Sequence, residues 1–328
     1  MRAKVKEGNG EKELNDFGKR GSDPSPFLPE PRQAHHIARL KLKNPELFKF
    51  WQRCYRSEIK ALVDNQTFTF PDLPLPPGTK VVPCMEVHKI KIQSDGTLDK
   101  GKVRIVARGD LQNKWENEDN WSPTTSQKGL KIFVADAAKN KARIRQLDFI
   151  SAFLQAPVRR KTYVQLPGIF GELVPEYADF VGKPLRLLKS IYGMGSSSRF
   201  WFEELRDWLV DEQGFSQSKC GLSLFWRTDE MGTIKLLIYV DDTLYWHTND
   251  ESRLKFEKQL QDRFKLDLQG FTHWFLSIWI IQHKNFDVTL DQSRYVTMLV
   301  NKYLENATVP ENNKQHERPL HDSFVSTK

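Results

Sequence analysis

The stretch LLIYVDDTLYW (236–246) sets two adjacent aspartates, Asp241 and Asp242, between two strongly apolar runs. Leu236, Leu237, Ile238, Tyr239 and Val240 read as a buried strand, and Leu244, Tyr245 and Trp246 as its return. A fold built around this hairpin carries like charges at the point where its core strands turn. Aspartate is a common turn residue, and that is the ordinary explanation. Yet two carboxylates about 5 Å apart repel by roughly 3 kcal/mol at an effective dielectric near 20. Between apolar strands that cost requires an offset, and a divalent cation supplies one. Magnesium prefers a few carboxylates together with phosphate oxygens and water to a closed protein cage. A third acid then has to approach from elsewhere. The candidate is Asp148 in RQLDFISAFLQAPV, at the end of a short strand among apolar neighbours, where a helix cap is the ordinary alternative.

The remaining pattern mixes helices and strands. NPELFKFWQRCYRSEIKALVDN reads as a helix, with Phe48, Trp51, Tyr55, Ile59 and Leu62 at near-helical spacing. KVVPCMEVHKIKI and GKVRIVARGDL read as strands joined by the turn SDGTLDKG. SQKGLKIFVADAAKN is helical, and IRQLDFI is a short strand. SSSRFWFEELRDWLVDEQGF is the clearest helix, with a serine cluster as its N-cap and Gly214 as its stop. A further helix runs through Leu254, Phe256, Leu260 and Phe264. The second hairpin, HWFLSIWIIQHKNFDVTL, precedes a terminal helix, DQSRYVTMLVNKYLE. Two hairpins among alternating helices predict an α+β fold with a largely antiparallel sheet and helices covering one face. No glycine-rich phosphate loop is present. Residues 1–44 and 306–328 are polar and read as a disordered arm and tail.

Lys and Arg number 50 against 42 Asp and Glu, a net charge of +8, which favours an anionic partner, nucleic acid before membrane. Cys54, Cys84 and Cys220 lie far apart and lack metal-ligand spacing, which argues against a disulfide framework and a zinc site. No apolar leader follows the opening residues, and WFLSIWII is too short to cross a bilayer. These features predict a soluble intracellular protein.

YVDD between apolar strands, QLDFISAFLQAPVRRKTYVQLPGIF, LLKSIYGMGSSSRFWFEEL and FLSIWI occur in the order and at roughly the spacing of a reverse transcriptase. Trp51, Glu58, Asn65, Thr67 and Phe68, and then GKVRIVARGDLQ, resemble the beginning of the copia-type LTR retrotransposon group. The resemblance covers about residues 50–305. It implies a right-hand polymerase, with fingers over about 45–142, a palm over about 143–270, and a primer-grip hairpin with the start of a thumb over about 271–305. It also implies RNA-directed DNA synthesis from dNTPs, with Asp148, Asp241 and Asp242 as catalytic ligands of two Mg²⁺ ions and Mn²⁺ as a substitute. Phe153 falls beneath the incoming sugar, where a bulky ring would collide with a 2′-hydroxyl, and Phe149 and Tyr239 stand beside the nucleotide. Lys102, Arg104 and Arg108 would neutralise the triphosphate from the fingers side, Arg104 foremost. Tyr192, Gly193 and Arg199 match the segment under template and nascent base pair, and Phe275, Leu276 and Ser277 the hairpin that grips the primer. The partners implied are an RNA template, a DNA primer and dNTPs, with no membrane, together with integrase and RNase H regions of one polyprotein. The implied location is a cytoplasmic virus-like particle, with the nucleus as the second place.

Two departures stand out. The family usually reads L-Y-G-L-K-Q-[AS]-P-R where this chain has IYGMGSSSR, so a basic residue is lost at Gly195, an amide at Ser196 and a proline at Ser198. Ser277 stands where a glycine is usual. No integrase or RNase H region fits within the polar arms. These features motivate a second reading, an inactive retroelement remnant that still binds nucleic acid. A third, a nucleotide cyclase with a two-metal palm, is opposed by the tyrosine before VDD and by the flanking motifs.

Overall fold

The computed structural model describes residues 4–7, 10–13, 37, 41–42, 44–92, 98–112 and 120–303. In chain order the elements are β1 (Lys4–Glu7), β2 (Gly10–Glu13), α1 (Pro45–Asp64), β3 (Phe68–Thr69), β4 (Val81–Ile92), β5 (Leu98–Ala107) and α2 (Gln127–Lys139). There follow β6 (Arg145–Phe149), β7 (Tyr163–Gln165), β8 (Pro184–Leu187), α3 (Ser197–Asp207), β9 (Ser216–Gln217), β10 (Leu224–Asp229), β11 (Gly232–Tyr239) and β12 (Asp242–His247). Last come α4 (Asp250–Arg263), β13 (Leu266–Phe271), β14 (Trp274–Phe275), β15 (Ile278–Gln282), β16 (Val288–Asp291) and α5 (Ser293–Tyr303).

Local signals account for most of these boundaries. The Asn44 side chain accepts from the Leu47 N–H at 3.0 Å, and Pro45 opens α1 where its missing N–H costs nothing. The helix buries Leu47, Trp51, Tyr55, Ile59 and Leu62, so Leu47 rather than Phe48 begins the stripe. The serine cap expected for α3 does not form. Ser196 is already in the helical region and makes no capping hydrogen bond. The Ser197 hydroxyl instead donates to the Ile191 carbonyl at 2.6 Å. A π-helical turn over Trp208–Glu212 follows, and Gly214 at φ +70° ends it as expected.

Among the described residues three sheets form, in the orders β2-β1-β5-β4-β7-β8-β3, β13-β6-β12-β11-β10-β9 and β14-β15-β16. All pairs of the six-stranded sheet are antiparallel. On one of its faces Trp201 and Leu205 of α3 and Phe256 and Leu260 of α4 pack against Leu147, Phe149, Leu236 and Ile238. The opposite face is also covered. Leu130 and Phe133 of α2, with Phe275, Ile278 and Ile280 of the small sheet, pack on Leu237, Leu244 and Trp246. α3 and α4 therefore share one face as predicted, and α2 lies across from them.

Two boundary expectations are corrected. β7 and β8 follow β6 in sequence, yet they join the first sheet, β7 pairing in parallel with β4 and β8 antiparallel with β3. A parallel pair needs a crossover connection, so the fingers borrow residues from within the span 143–270 assigned to the palm. The two short strands β1 and β2 pair with each other, and β1 joins β5, within the 1–44 segment expected to be a disordered arm. Their polar composition suits an edge, which is why it did not read as strand. The rest of that arm apart from residues 37, 41–42 and 44, the turn at 93–97 and the tail from 304 on lie outside the described residues.

The β14–β15 turn places Leu276 at φ +49° and Ser277 at φ +65°. Two positive φ values in a two-residue loop make a type I′ turn, where glycine or asparagine is normal. Ser277→Gly should raise stability by about 0.5–1 kcal/mol, because the left-handed conformation costs glycine nothing sterically. A higher denaturant midpoint at unchanged slope is the expected reading.

Candidate active site

The site is built on β6, which lies between β12 and β13. In register, Asp148 stands opposite Asp242 on one side and opposite Asp267 on the other. Directly opposite residues share a sheet face, with Cβ atoms about 4.5–5.5 Å apart. Three aspartates thus form a row across three neighbouring strands. Asp241 adds a fourth from the two-residue turn between Tyr239 and Asp242, which are themselves register partners.

That turn is strained and pinned. Val240, a β-branched residue, sits at φ +56°, where a type II′ turn normally has glycine. The Trp201 indole N–H donates to the Val240 carbonyl at 2.7 Å. The Phe149 N–H donates to the Asp241 carbonyl at 3.0 Å. Two residues before Val240, the Thr125 hydroxyl donates to the Ile238 carbonyl at 2.8 Å. Core aromatic packing therefore fixes where the Asp241 backbone lies.

Burial raises the pKa of Asp242 above the usual carboxylate range, and the Asp241 charge raises it further, against a small lowering by the Gln146 amide. A carboxyl with a raised folded-state pKa stabilises the fold most below its unfolded pKa, and that contribution is lost as pH rises through the folded value. A bound cation would reverse the balance. Among the described residues no three metal-ligating side chains already close around one point. The donors brought to this edge are hard carboxylate oxygens, which suit Mg²⁺ or Mn²⁺ rather than a soft metal.

The second wall comes from the first sheet. The Ala107 N–H donates to the Tyr192 carbonyl at 2.8 Å, and Val106 and Tyr192 form a parallel bridge, so residue 192 is sewn to the free edge of β5. Gly193 follows at φ +84°. A Cβ there would lie 2.2 Å from the Ala107 carbonyl oxygen and 2.4 Å from Val106 Cγ1. The Tyr192 ring packs edge-on against Phe153 at 5.0 Å between centroids, and the Arg104 guanidinium lies 4.8 Å over its face. Burial raises the Tyr192 pKa, with Arg104 opposing and Asp241 adding to the rise. Phe153, Tyr192, Gly193 and Arg104 are thus brought together, and the Asp241 charge reaches Tyr192.

Other predicted residues lie elsewhere. Phe149 is corrected from a nucleotide contact to a core residue. It is 2% exposed and stacks edge-on with Trp201 and Phe264 on the face away from Asp148. Phe275, 1% exposed, is likewise core rather than a surface that grips a primer, because it anchors the small sheet. Arg108 is engaged bidentately by Asp110. Arg199 pairs with Glu203 at 2.7 Å. Lys102 stands on β5 beside Arg104 and opposite Lys89, Tyr239 lies opposite Asp242, and Leu276 and Ser277 form the hairpin turn. In the departing segment, the Gly195 N–H donates to the Gln112 side chain at 3.3 Å, and the Ser198 carbonyl accepts from the Ser122 hydroxyl at 3.1 Å. Asp267 escaped the sequence reading, since LDLQGF gives no register. Glu58 was noted only as part of a family pattern.

A family model described as reverse transcriptase (RNA-dependent DNA polymerase) matches residues 65–315. The chain belongs to the reverse transcriptase family. The retrovirus-related Pol polyprotein from transposon RE2 of Arabidopsis thaliana is 34% identical to this family member over 231 residues, covering 70% of this chain and 15% of the polyprotein. That from transposon RE1 of the same plant is 30% identical over 253 residues, covering 76% of this chain and 17% of the polyprotein. These relatives place the chain with the copia-type elements. It spans about a sixth of their length. Among solved structures, a foamy viral protease–reverse transcriptase in complex with double-stranded DNA aligns at a TM-score of 0.39 and 15% identity, over 77% of this chain and 36% of that one. Enzymes of this family generally use divalent metal ions.

Proposed function

We propose that this chain extends a DNA primer on an RNA template with dNTPs, as the polymerase of a copia-type retrotransposon. The observation that carries the reading is the register of Asp148 against Asp242, with Asp241 pinned beside them. Asp148 and Asp241, assisted by Asp242, would hold two Mg²⁺ ions, with Mn²⁺ as a substitute, and such a pair activates an attacking hydroxyl and stabilises a leaving pyrophosphate. Arg104, with Lys102 on the same strand, supplies positive charge for the triphosphate. The Phe153 ring closes the space where a 2′-hydroxyl would stand, which selects deoxynucleotides. Tyr192, held on Gly193, supports the nascent base pair. Integrase and RNase H regions of a polyprotein and a cytoplasmic particle are the context this reading supplies.

The test is primer extension by the full chain on an RNA template with dNTPs, in Mg²⁺, in Mn²⁺ and in excess chelator. Extension in either metal that chelator abolishes is the expected result. Thermal melting gives a readout apart from activity. Metal at ten times its dissociation constant should add about 1.4 kcal/mol of stability, and Asp148→Asn should remove most of that gain. Template–primer binding without extension in either metal would overturn the polymerase reading in favour of an inactive nucleic-acid binder.

A further inference from the structure

β6 ends its ladder with β13 at the pair Phe149 and Leu266, and the chain then leaves the sheet. Ile150 makes one more contact of the same kind, its N–H donating to the Lys265 carbonyl at 2.9 Å. Ser151 follows in the left-handed region at φ +53°, and Ala152–Gln155 form a single 3-10 helical turn without a side-chain cap. Phe153 stands inside this turn. The bonds from the Leu154 N–H to the Ser151 carbonyl and from the Ala156 N–H to the Phe153 carbonyl shape the turn from within. Ala152 and Ala156 seat it in the palm core and Leu154 in the fingers core, but apolar burial is non-directional. Direction comes from the Gln155 side chain. Its Oε1 accepts from the Lys265 N–H at 2.7 Å, and its Nε2 donates to the carbonyls of Lys265 and Ile150, each at 2.9 Å. One side-chain amide thus takes both backbone groups of Lys265, as the peptide of a neighbouring strand would. The Lys265 ammonium donates in turn to Asn65 Oδ1 at 2.9 Å, at the C-terminal cap of α1. Two residues from this anchor, the half-buried Phe153 ring meets Tyr192.

We propose that Gln155 is a positioning residue for sugar selection, whose amide, clamped on the Lys265 backbone, fixes the turn that carries Phe153 and so keeps that ring against the 2′ position of an incoming nucleotide. This rests on the polymerase reading above. A ring excludes a hydroxyl only while it cannot retreat, because contact energies change steeply over a fraction of an ångström. Asp148 is held separately, by the ladders on both sides of β6. Loosening the turn should therefore admit ribonucleotides more than it slows deoxynucleotides. A role confined to stability would lower both rates together and leave their ratio unchanged.

The experiment measures single-turnover incorporation of a dNTP and of the matching rNTP by the full chain on an RNA template with Mg²⁺. It compares the native chain with Gln155→Ala, Gln155→Glu, Phe153→Ala and Gln155→Ala combined with Phe153→Ala. Both substrates meet the same enzyme, so the ratio of their efficiencies does not depend on how much of a variant is folded. Gln155→Glu keeps the length and an acceptor for the Lys265 N–H, but sets an oxygen where Nε2 donated to two carbonyls. Each Gln155 variant is expected to lower the preference for the deoxynucleotide about tenfold. In the Phe153→Ala background Gln155→Ala should change the ratio by less than about twofold, since coupled residues do not add. A native-like ratio in either Gln155 variant, or a tenfold loss that persists without the Phe153 ring, overturns the proposal and leaves the polymerase reading intact. A native-like ratio in Phe153→Ala also overturns it, by removing the ring's part in sugar selection. Absence of dNTP incorporation by the native chain overturns the polymerase reading, and this inference falls with it.

Discussion

Asp241→Asn is expected to abolish the proposed nucleotide addition and to leave the protein folded. Asn has the shape of Asp, and the Asp241 carbonyl keeps its hydrogen bond from Phe149. What is lost is a negative charge at the turn where two cations are proposed to sit. Deleting one preorganised charge from such a site typically costs two to three orders of magnitude in rate. With both ions depending on this carboxylate, the loss should reach a thousandfold or more, about 4 kcal/mol of barrier. Stability should move the other way by a small amount, since the Asp241 charge repels the Asp242 carboxylate beside it. Single-turnover extension beside urea denaturation checks both halves. A variant that loses activity only because it unfolds would show a lowered midpoint, contrary to this expectation.

Gly193→Ala should have the largest effect on the fold. The added methyl group meets the Ala107 carbonyl oxygen at 2.2 Å, a backbone atom that cannot rotate aside, and Val106 Cγ1 at 2.4 Å. The positive φ adds its own cost for any L side chain. A loss of about 2–4 kcal/mol is expected, in the upper range for single substitutions. Because residue 192 is sewn to β5 beside this point, the strain should also shift Tyr192, and with it Phe153 and Arg104. Extension should then fall more steeply than the population of folded protein, which a comparison of circular dichroism with initial rates would show. Gly109 opposes Gly193 at equally close range, a Cβ there meeting the Gly193 carbonyl oxygen at 2.1 Å. The two glycines therefore interlock, and a paired substitution would not rescue either.

Much of the palm was legible in the sequence because its signals are local. Asp241 and Asp242 lie between runs whose apolar character specifies strand, turn and strand, and Gly214 ends a helix as its backbone freedom predicts. Relations across strands were not legible. Asp267 stands opposite Asp148 only because β13 pairs with β6 at one register and not its neighbour, and a one-residue slip would have turned it to the other face. Phe149 shows the same limit from the other side. Next to a catalytic candidate in sequence, it points into the core, since successive strand residues alternate faces. Val240 could not be foreseen in a position that favours glycine. Its strain is held by Trp201, 39 residues earlier.

The thread of the chain has a mechanical outcome. It builds most of the fingers sheet, lays down β6 of the palm, returns to add β7 and β8 to the fingers, and then completes the palm. Neither lobe is a continuous piece of polypeptide. A cut anywhere between β6 and β8 would leave each fragment holding strands that belong to its neighbour, so neither half could be expressed alone as a working module. The lobes stay tethered by several separate covalent crossings. Opening one against the other must twist all of those crossings together, as a book bound by more than one thread opens only as far as its tightest stitch allows.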